Sequence, residues 1–279
     1  MSELYLREDF QAAWRNKDPF DYVEQLEGEV FRQLEARKTL RFEQNGQSYF
    51  VKIHRGVGWY EIIENLLRLR KPVLGAENEF LAIKKLEKLG IDTMTAVAYG
   101  RKGYNLARQK SFIVTEDLIN TISLEDLCKQ WPNSPPSFRF KRNLITKIAD
   151  VSRRLHQNGV NHRDYYICHF LLALPGGEHN GIEGIDPDNF TLSLIDLHRT
   201  QIRTKTPTRW VRKDIAGLYF SALEAPCGLT RNDILRFIKV YTGLPLRQAL
   251  DEYQCLWQGL EAKARKLLVR MQRKLEQGE

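Results

Sequence analysis

The sequence predicts an α+β fold of two lobes, a small N-terminal lobe with an antiparallel sheet and a helix, and a larger, mainly helical C-terminal lobe. Three observations carry this. Two strands with alternating apolar positions, Thr39 to Gln44 and Gln47 to His54, face each other across Asn45-Gly46, a dipeptide suited to a two-residue hairpin turn. Past Thr115 the apolar period changes from strand to helix and is helical again over Phe138 to Gln157 and in the C-terminal part. Between these helical stretches, Val160 to Leu172 reads as a polar loop running into a buried strand. The expected lobes are residues 1–117 and 118–279, meeting near residues 116 to 122.

A chain of 279 residues with 42% apolar and 10% aromatic residues can bury a sizeable core, and it has no low-complexity tract or internal repeat that would argue for disorder or a solenoid. Cys128, Cys168, Cys227 and Cys255 are far apart with no Cys-x-x-Cys, so neither a zinc site nor a disulfide framework is expected, and a reducing cytosol suits them. The first ten residues are broken by charges and lack the apolar core of a signal peptide, and no run is long and uncharged enough to span a bilayer. A net charge of +8 and a pI near 9.3 call for an anionic partner: phosphates, nucleic acid or an acidic lipid surface. Nucleic acid is not expected, because the basic residues are not interleaved with the aromatics on which single strands stack.

Taken in order, residues 9 to 36 place Phe20, Val23, Leu26, Val30 and Leu34 at helical spacing and predict one or two short helices. In the hairpin, Lys52 stands between Val51 and Ile53, where a phosphotransferase places an amine that grips nucleotide phosphates. Alone it reads as a solvent-facing strand lysine; two carboxylates downstream change that reading. Trp59, Ile62, Ile63, Leu66 and Leu67 line one side of a helix expected to pack on the core, with Arg68, Arg70 and Lys71 at its end; the alternative is a surface that meets lipid or an acidic protein. A second helix, Gly75 to Leu89, carries Phe80, Ile83, Leu86 and Leu89 on one face, and Gly90 stops it. Glu79 in its first turn is the expected partner of Lys52, and Glu77 the competitor. Strands follow at Thr95 to Tyr99 and Ser111 to Thr115. The passage Thr115-Glu116-Asp117-Leu118-Ile119-Asn120 then leads to a helix capped by Ser123, and its backbone, with Glu116 at its head, suits a nucleotide base.

The chemistry concentrates beyond the long helix. Asp164 follows His162-Arg163 and precedes an apolar run, the arrangement that holds a carboxylate within reach of an acceptor hydroxyl. Asp196 closes the apolar strand Leu192 to Ile195, as an oxygen ligand for a metal ion carrying nucleotide phosphates would. The glycine-rich stretch 174–184 lacks the spacing and the helix of a phosphate cradle and reads as a surface loop. Between Arg199 and Lys213 six basic residues stand with no acidic one, a place for an anionic acceptor, and Asp214 opens a helix over Ile215 to Leu223, either bracing the catalytic loop or serving as a helix-start acid. Lys263, Arg265, Lys266, Arg270, Arg273 and Lys274 make the last helix basic, and two readings stand for it: a lipid-facing helix or a solvated one.

With Lys52, an acid on the next helix, His162-Arg163-Asp164 and Asp196 in this order, the chain resembles the protein-kinase-like superfamily. Within it, the blocks Tyr49 to Gly56, Pro72 to Ala76, Thr93 to Gly100, Asn161 to Phe170 and Ile195 to Arg199 resemble the lipopolysaccharide core heptose I kinase family. The resemblance implies a kinase that uses ATP and Mg2+ to phosphorylate the first heptose of the inner core, a cytosolic location with peripheral contact to the inner membrane, a lipid A-core acceptor and an acyl carrier protein partner. It further implies Asp164 as base or hydroxyl-positioning carboxylate, His162 and Arg163 as supports, Lys52 and Glu79 as the phosphate grip, and Asp196 as the magnesium ligand. His169 stands where protein kinases carry a second, asparagine ligand, Leu197-His198 replaces Phe-Gly, and Gly46 is alone where a multi-glycine loop would cover the phosphates. Rival expectations are a kinase for another sugar or a protein tyrosine, a nucleotide-binding pseudokinase, and an RNA-binding protein.

Overall fold

The computed structural model describes residues 2–34, 36–67, 75–177 and 184–276. Arg68, Arg70, Lys71, the block from Pro72 to Leu74 and most of the glycine-rich stretch lie outside them. The chain divides into two compact units, one of residues 1–88, 93–119 and 197–199, the other of residues 89–92, 120–196 and 200–279.

In the first unit, β1 (Ser2–Leu6), α1 (Glu8–Ala13), α2 (Pro19–Glu24) and β2 (Glu29–Leu34) precede the hairpin β3 (Arg37–Gln44) and β4 (Gln47–His54). Then come α3 (Gly58–Leu67), α4 (Glu77–Lys88), β5 (Ala96–Lys102) and β6 (Lys110–Glu116). The described strands form an antiparallel sheet in the order β1-β5-β6-β4-β3-β2. Asn45 and Gly46 both take positive φ, +54° and +75°, as the hairpin turn requires. Alternation decides which side of the sheet each residue serves. Leu40 and Phe42 of β3 and Tyr49, Val51 and Ile53 of β4 join Phe10, Trp14 and Val23 in one core. Lys52, out of phase with these, belongs to the opposite face.

Two expectations fail here for physical reasons. Val30 and Leu34 lie not in a helix but in β2, a bulged edge strand whose six residues are all exposed, so no burial imposes an alternation for the sequence to display. The apolar side of α3 is not packed on the core: Ile62 is buried, but Trp59, Ile63 and Leu67 are exposed, because the sheet core is already closed by α1 and α2.

The second unit holds β7 (Thr121–Ser123), α5 (Leu124–Gln130), α6 (Phe138–Gln157), β8 (Val160–Asn161), β9 (Phe170–Ala173), β10 (Leu192–Leu194) and β11 (Gln201–Ile202), then α7 (Thr208–Glu224), α8 (Arg231–Thr242), α9 (Leu246–Glu252) and α10 (Gln254–Glu276). Ser123 caps α5 by accepting from the Asp126 amide at 3.1 Å, a contact of about 1 kcal/mol. Leu144, Ile148, Val151 and Leu155 of α6 are buried at the spacing read from the sequence. Helix α7 begins six residues before Asp214, so Asp214 does not open it but sits buried in its middle. The basic run hid that start, since nothing in it marks a cap. Among the described residues no helix is long and apolar enough to cross a membrane.

Candidate active site

Helix α6 ends at Asn158-Gly159. Gly159 takes φ +77°, and a Cβ there would lie 1.7 Å from the Arg203 carbonyl oxygen, so only glycine lets the chain pass. The two-residue ladder of β8 with β11 then fixes the approach to His162.

What holds the loop is Asp214. One carboxylate oxygen accepts from the His162 amide at 2.6 Å and the other from the Arg163 amide at 2.9 Å, with Asp214 only 1% exposed. Arg163 is consequently kept at φ +77°, a conformation an L residue rarely adopts. Lys213, the neighbour of Asp214, donates to the Arg163 carbonyl and stands 3.9 Å from Oδ1 of Asp164. Ser221 Oγ, two turns further along α7, accepts from the Ile167 amide at 3.0 Å, and Gly217 lets the helix close on the Tyr165 carbonyl. The chain therefore approaches Asp164 over a surface made by one helix.

The His162 ring is buried and its pKa is pushed down by that burial, so the neutral ring donates from Nε2 to the Ile195 carbonyl at 2.9 Å. This ties the Asp164 loop to the segment carrying Asp196. His169 makes the second tie: its amide oxygen accepts from the Ile195 amide at 2.9 Å, its Nδ1 donates to the Asp164 carbonyl at 2.7 Å, and its Nε2 lies 3.5 Å from Asp196 Oδ2. Asp196 sits at φ +61°, two residues past β10. The structure thus brings His162, Arg163, Asp164, His169 and Asp196 into one connected group in the second unit.

The other expected residues lie in the first unit. Lys52 Nζ meets Glu79 Oε1 at 2.6 Å, and Glu79 is 1% exposed. Glu77 instead binds Arg101 at 2.7 Å. The Glu116 carboxylate accepts from Arg7 at 2.5 Å and its amide donates to the Thr95 carbonyl at 2.9 Å. Leu197 is buried in this unit, and the His198 carbonyl accepts from Asn78 of α4.

Sequence reasoning took Lys213 only as the end of a basic run and left out Ser221. Both share a helix with the buried Asp214, and an acid set directly before the apolar run Ile215-Ala216-Gly217-Leu218 was the signal that this helix serves the loop. Among the described residues, no group of three or more His, Cys, Asp or Glu side chains could enclose a metal. A magnesium ion is nonetheless compatible with Asp196, because in nucleotide sites one or two protein ligands suffice and phosphate oxygens and water complete the shell.

Residues 21–241 match the model of the lipopolysaccharide kinase (Kdo/WaaP) family. The chain belongs to this family. It is 53% identical to the lipopolysaccharide core heptose(I) kinase WaaP of Escherichia coli over 96% of this chain and 98% of that one. It is 51% identical to the protein of the same name from Pseudomonas aeruginosa, over 97% of each. A solved structure of WaaP in complex with acyl carrier protein is similar to it with a TM-score of 0.81 and 47% identity, covering 95% of this chain and 99% of that one. As a member of a Kdo/WaaP kinase family, the chain has a kinase-like α+β fold, and its inherited chemistry is phosphoryl transfer.

Proposed function

We propose that this Kdo/WaaP-family chain transfers the terminal phosphoryl group of ATP to a hydroxyl of the first heptose in the lipopolysaccharide inner core. The observation that carries the reading is the double clamp on the Asp164 loop, by Asp214 from α7 and by His169, which bonds both the Asp164 carbonyl and the Ile195 amide, within a chain alike along nearly its whole length to heptose(I) kinases. Phosphoryl transfer needs little covalent help from a protein and much positioning, and a carboxylate fixed through its own backbone supplies that.

In this reading Asp164 accepts or orients the proton of the acceptor hydroxyl, with Lys213 beside it at 3.9 Å. His162 and Arg163 hold the loop. Lys52, oriented by Glu79, grips nucleotide phosphates, and the base lies against the backbone that begins at Glu116, whose side chain Arg7 holds. Asp196, with His169 next to it, would hold Mg2+, which when bound offsets the charge on the phosphate oxygens. The functional division at 117/118 belongs to the same proposal, as do a cytoplasmic location, peripheral inner-membrane contact, the lipid A-core acceptor and an acyl carrier protein partner.

The test is to incubate the purified chain with ATP, Mg2+ and inner-core lipopolysaccharide lacking phosphate on the first heptose, and to locate any new phosphate by tandem mass spectrometry. Phosphate on that heptose is the expected product. Phosphate on another sugar would replace the acceptor, and ATP binding without product would favour a pseudokinase.

A further inference from the structure

Lys52 and Glu79 have a place in phosphoryl transfer, but the way the first unit holds the chain as it leaves the sheet does not yet. The ladder between β4 and β6 ends with Tyr49 opposite Glu116, and past a ladder a backbone keeps its place only where other groups bind it. Here they bind it from two sides. The register puts Glu116 on the face of Tyr49, which is the core face, while Arg41, opposite Phe50, shares the other face with Ser48 and Lys52.

On the core side, Glu116 Oε1 accepts from Arg7 at 2.5 Å, and the same guanidinium donates through Nε and Nη2 to both oxygens of Asp9 in the first turn of α1, each at 2.8 Å. On the side of Lys52, Asp117 Oδ2 accepts from Arg41 Nε at 2.8 Å and from Ser48 Oγ at 2.9 Å. The Asp117 amide adds a bond to the Ser48 carbonyl at 3.1 Å. Each ion pair is partly open to water, and such pairs do little for the stability of a fold. What the two share is their target, the adjacent residues at which the ladder stops.

We propose that Arg7 and Arg41 are positioning residues that fix the backbone after β6 for the nucleotide base and so set a preference for adenine over guanine. This rests on the kinase reading given above, in which the base lies against that backbone, and adds what holds it there. Adenine carries an amino donor where guanine carries a carbonyl acceptor, so a backbone matched to one leaves polar groups unpaired with the other. The rejection lasts only while the backbone is kept from shifting to suit the wrong base.

Arg7→Gln and Arg41→Gln are compared with the wild type by calorimetric titration of ATP and of GTP, each with Mg2+ and without acceptor. In each variant the Kd for ATP rises about fivefold, because binding must now also order the segment, while that for GTP changes less than about twofold and the preference narrows accordingly. The acceptor KM and the kcat at saturating ATP stay within about twofold. A role confined to the fold would lower the urea midpoint and leave the ratio of the two Kd values untouched. Asp117 supplies a second pair of variants. Asp117→Asn keeps an oxygen that accepts from both Arg41 and Ser48 and holds ATP within about twofold of the wild type, whereas Asp117→Ala weakens it as Arg41→Gln does. Folded variants with the wild-type Kd for ATP and the wild-type ratio overturn the proposal, as does a wild type that binds ATP and GTP alike. A wild type that binds neither nucleotide overturns the kinase reading as well. If the arginine variants weaken ATP binding but the wild type phosphorylates no heptose, the function proposal fails and the positioning role stands; if heptose is phosphorylated and the variants bind ATP as the wild type does, the reverse holds.

Discussion

Replacing Asp214 by alanine removes the acceptor of two buried amides at once. The His162 and Arg163 N–H groups lie 2.6 and 2.9 Å from its oxygens, and His162 and Asp214 are each 1% exposed, so water does not replace the lost partner without opening the loop. Each unsatisfied buried donor costs about 1 to 3 kcal/mol, which sets the loss at about 2 to 6 kcal/mol. Arg163 at φ +77° adds strain of about 1 to 3 kcal/mol that the clamp now restrains, so the loop opens before the rest of the unit. Asp214→Asn keeps one acceptor but turns an NH2 toward the other amide, and falls between the two. Urea denaturation gives the stability, hydrogen exchange at the two amides gives the local opening, and kcat reports the catalytic cost. An alanine variant within about 0.5 kcal/mol of wild type with both amides still protected would refute the reasoning, because that is the range of an inconsequential surface change.

Three further outcomes are expected. Lys52→Met leaves the buried Glu79 carboxylate without its partner and costs about 3 to 5 kcal/mol, and adding Glu79→Met restores most of that stability but no transfer activity, as chemical denaturation and turnover assays will show. His54 is pushed down to about 3 by burial and by the charges of Arg37 and Lys52. The folded state therefore refuses a proton that the unfolded chain takes up below about pH 6.5, so stability falls with pH in the window from there toward 3, by at most about 1.4 kcal/mol per unit, and His54→Gln flattens that slope in denaturation series at several pH values. Cys128 and Cys227, both buried, hold their sulfurs 2.7 Å apart across 99 positions of sequence. A small-molecule disulfide should cap the exposed Cys255 and also close this pair, raising Tm with an entropic limit of about 4.7 kcal/mol for a loop of that size, and Cys128→Ser should abolish the cross-link and the rise in peptide mapping and calorimetry.

What could be read from the sequence was local. Asn45-Gly46, Ser123, the period of α6 and the stop at Gly90 each act within a few residues, so composition at those positions dictates the backbone. The pairing of Lys52 with Glu79 could be read too, because the resemblance to kinases singled out an acid on a following helix as the partner of the strand lysine. The illegible features depend on neighbours distant in the chain. β2 is exposed on all sides and has no pattern to show; the stripe on α3 looked like a core face because periodicity reports amphipathicity and not what covers it. The start of α7 lacks every usual cap, and the hold of Arg7 and Arg41 on Glu116 and Asp117 exists only once the sheet has formed. Two cysteines that the spacing separates turn out to be neighbours for the same reason.

The central claim, that Asp164 serves phosphoryl transfer and not the fold, is tested most directly by single-turnover transfer from ATP to the heptose acceptor with Asp164→Asn. Its carbonyl, not its side chain, makes the bond to His169, so folding should survive the change. The account predicts an unaltered melting curve with transfer slowed at least about a hundredfold, the lower range for loss of a positioned acid or base; transfer at close to the wild-type rate would contradict it.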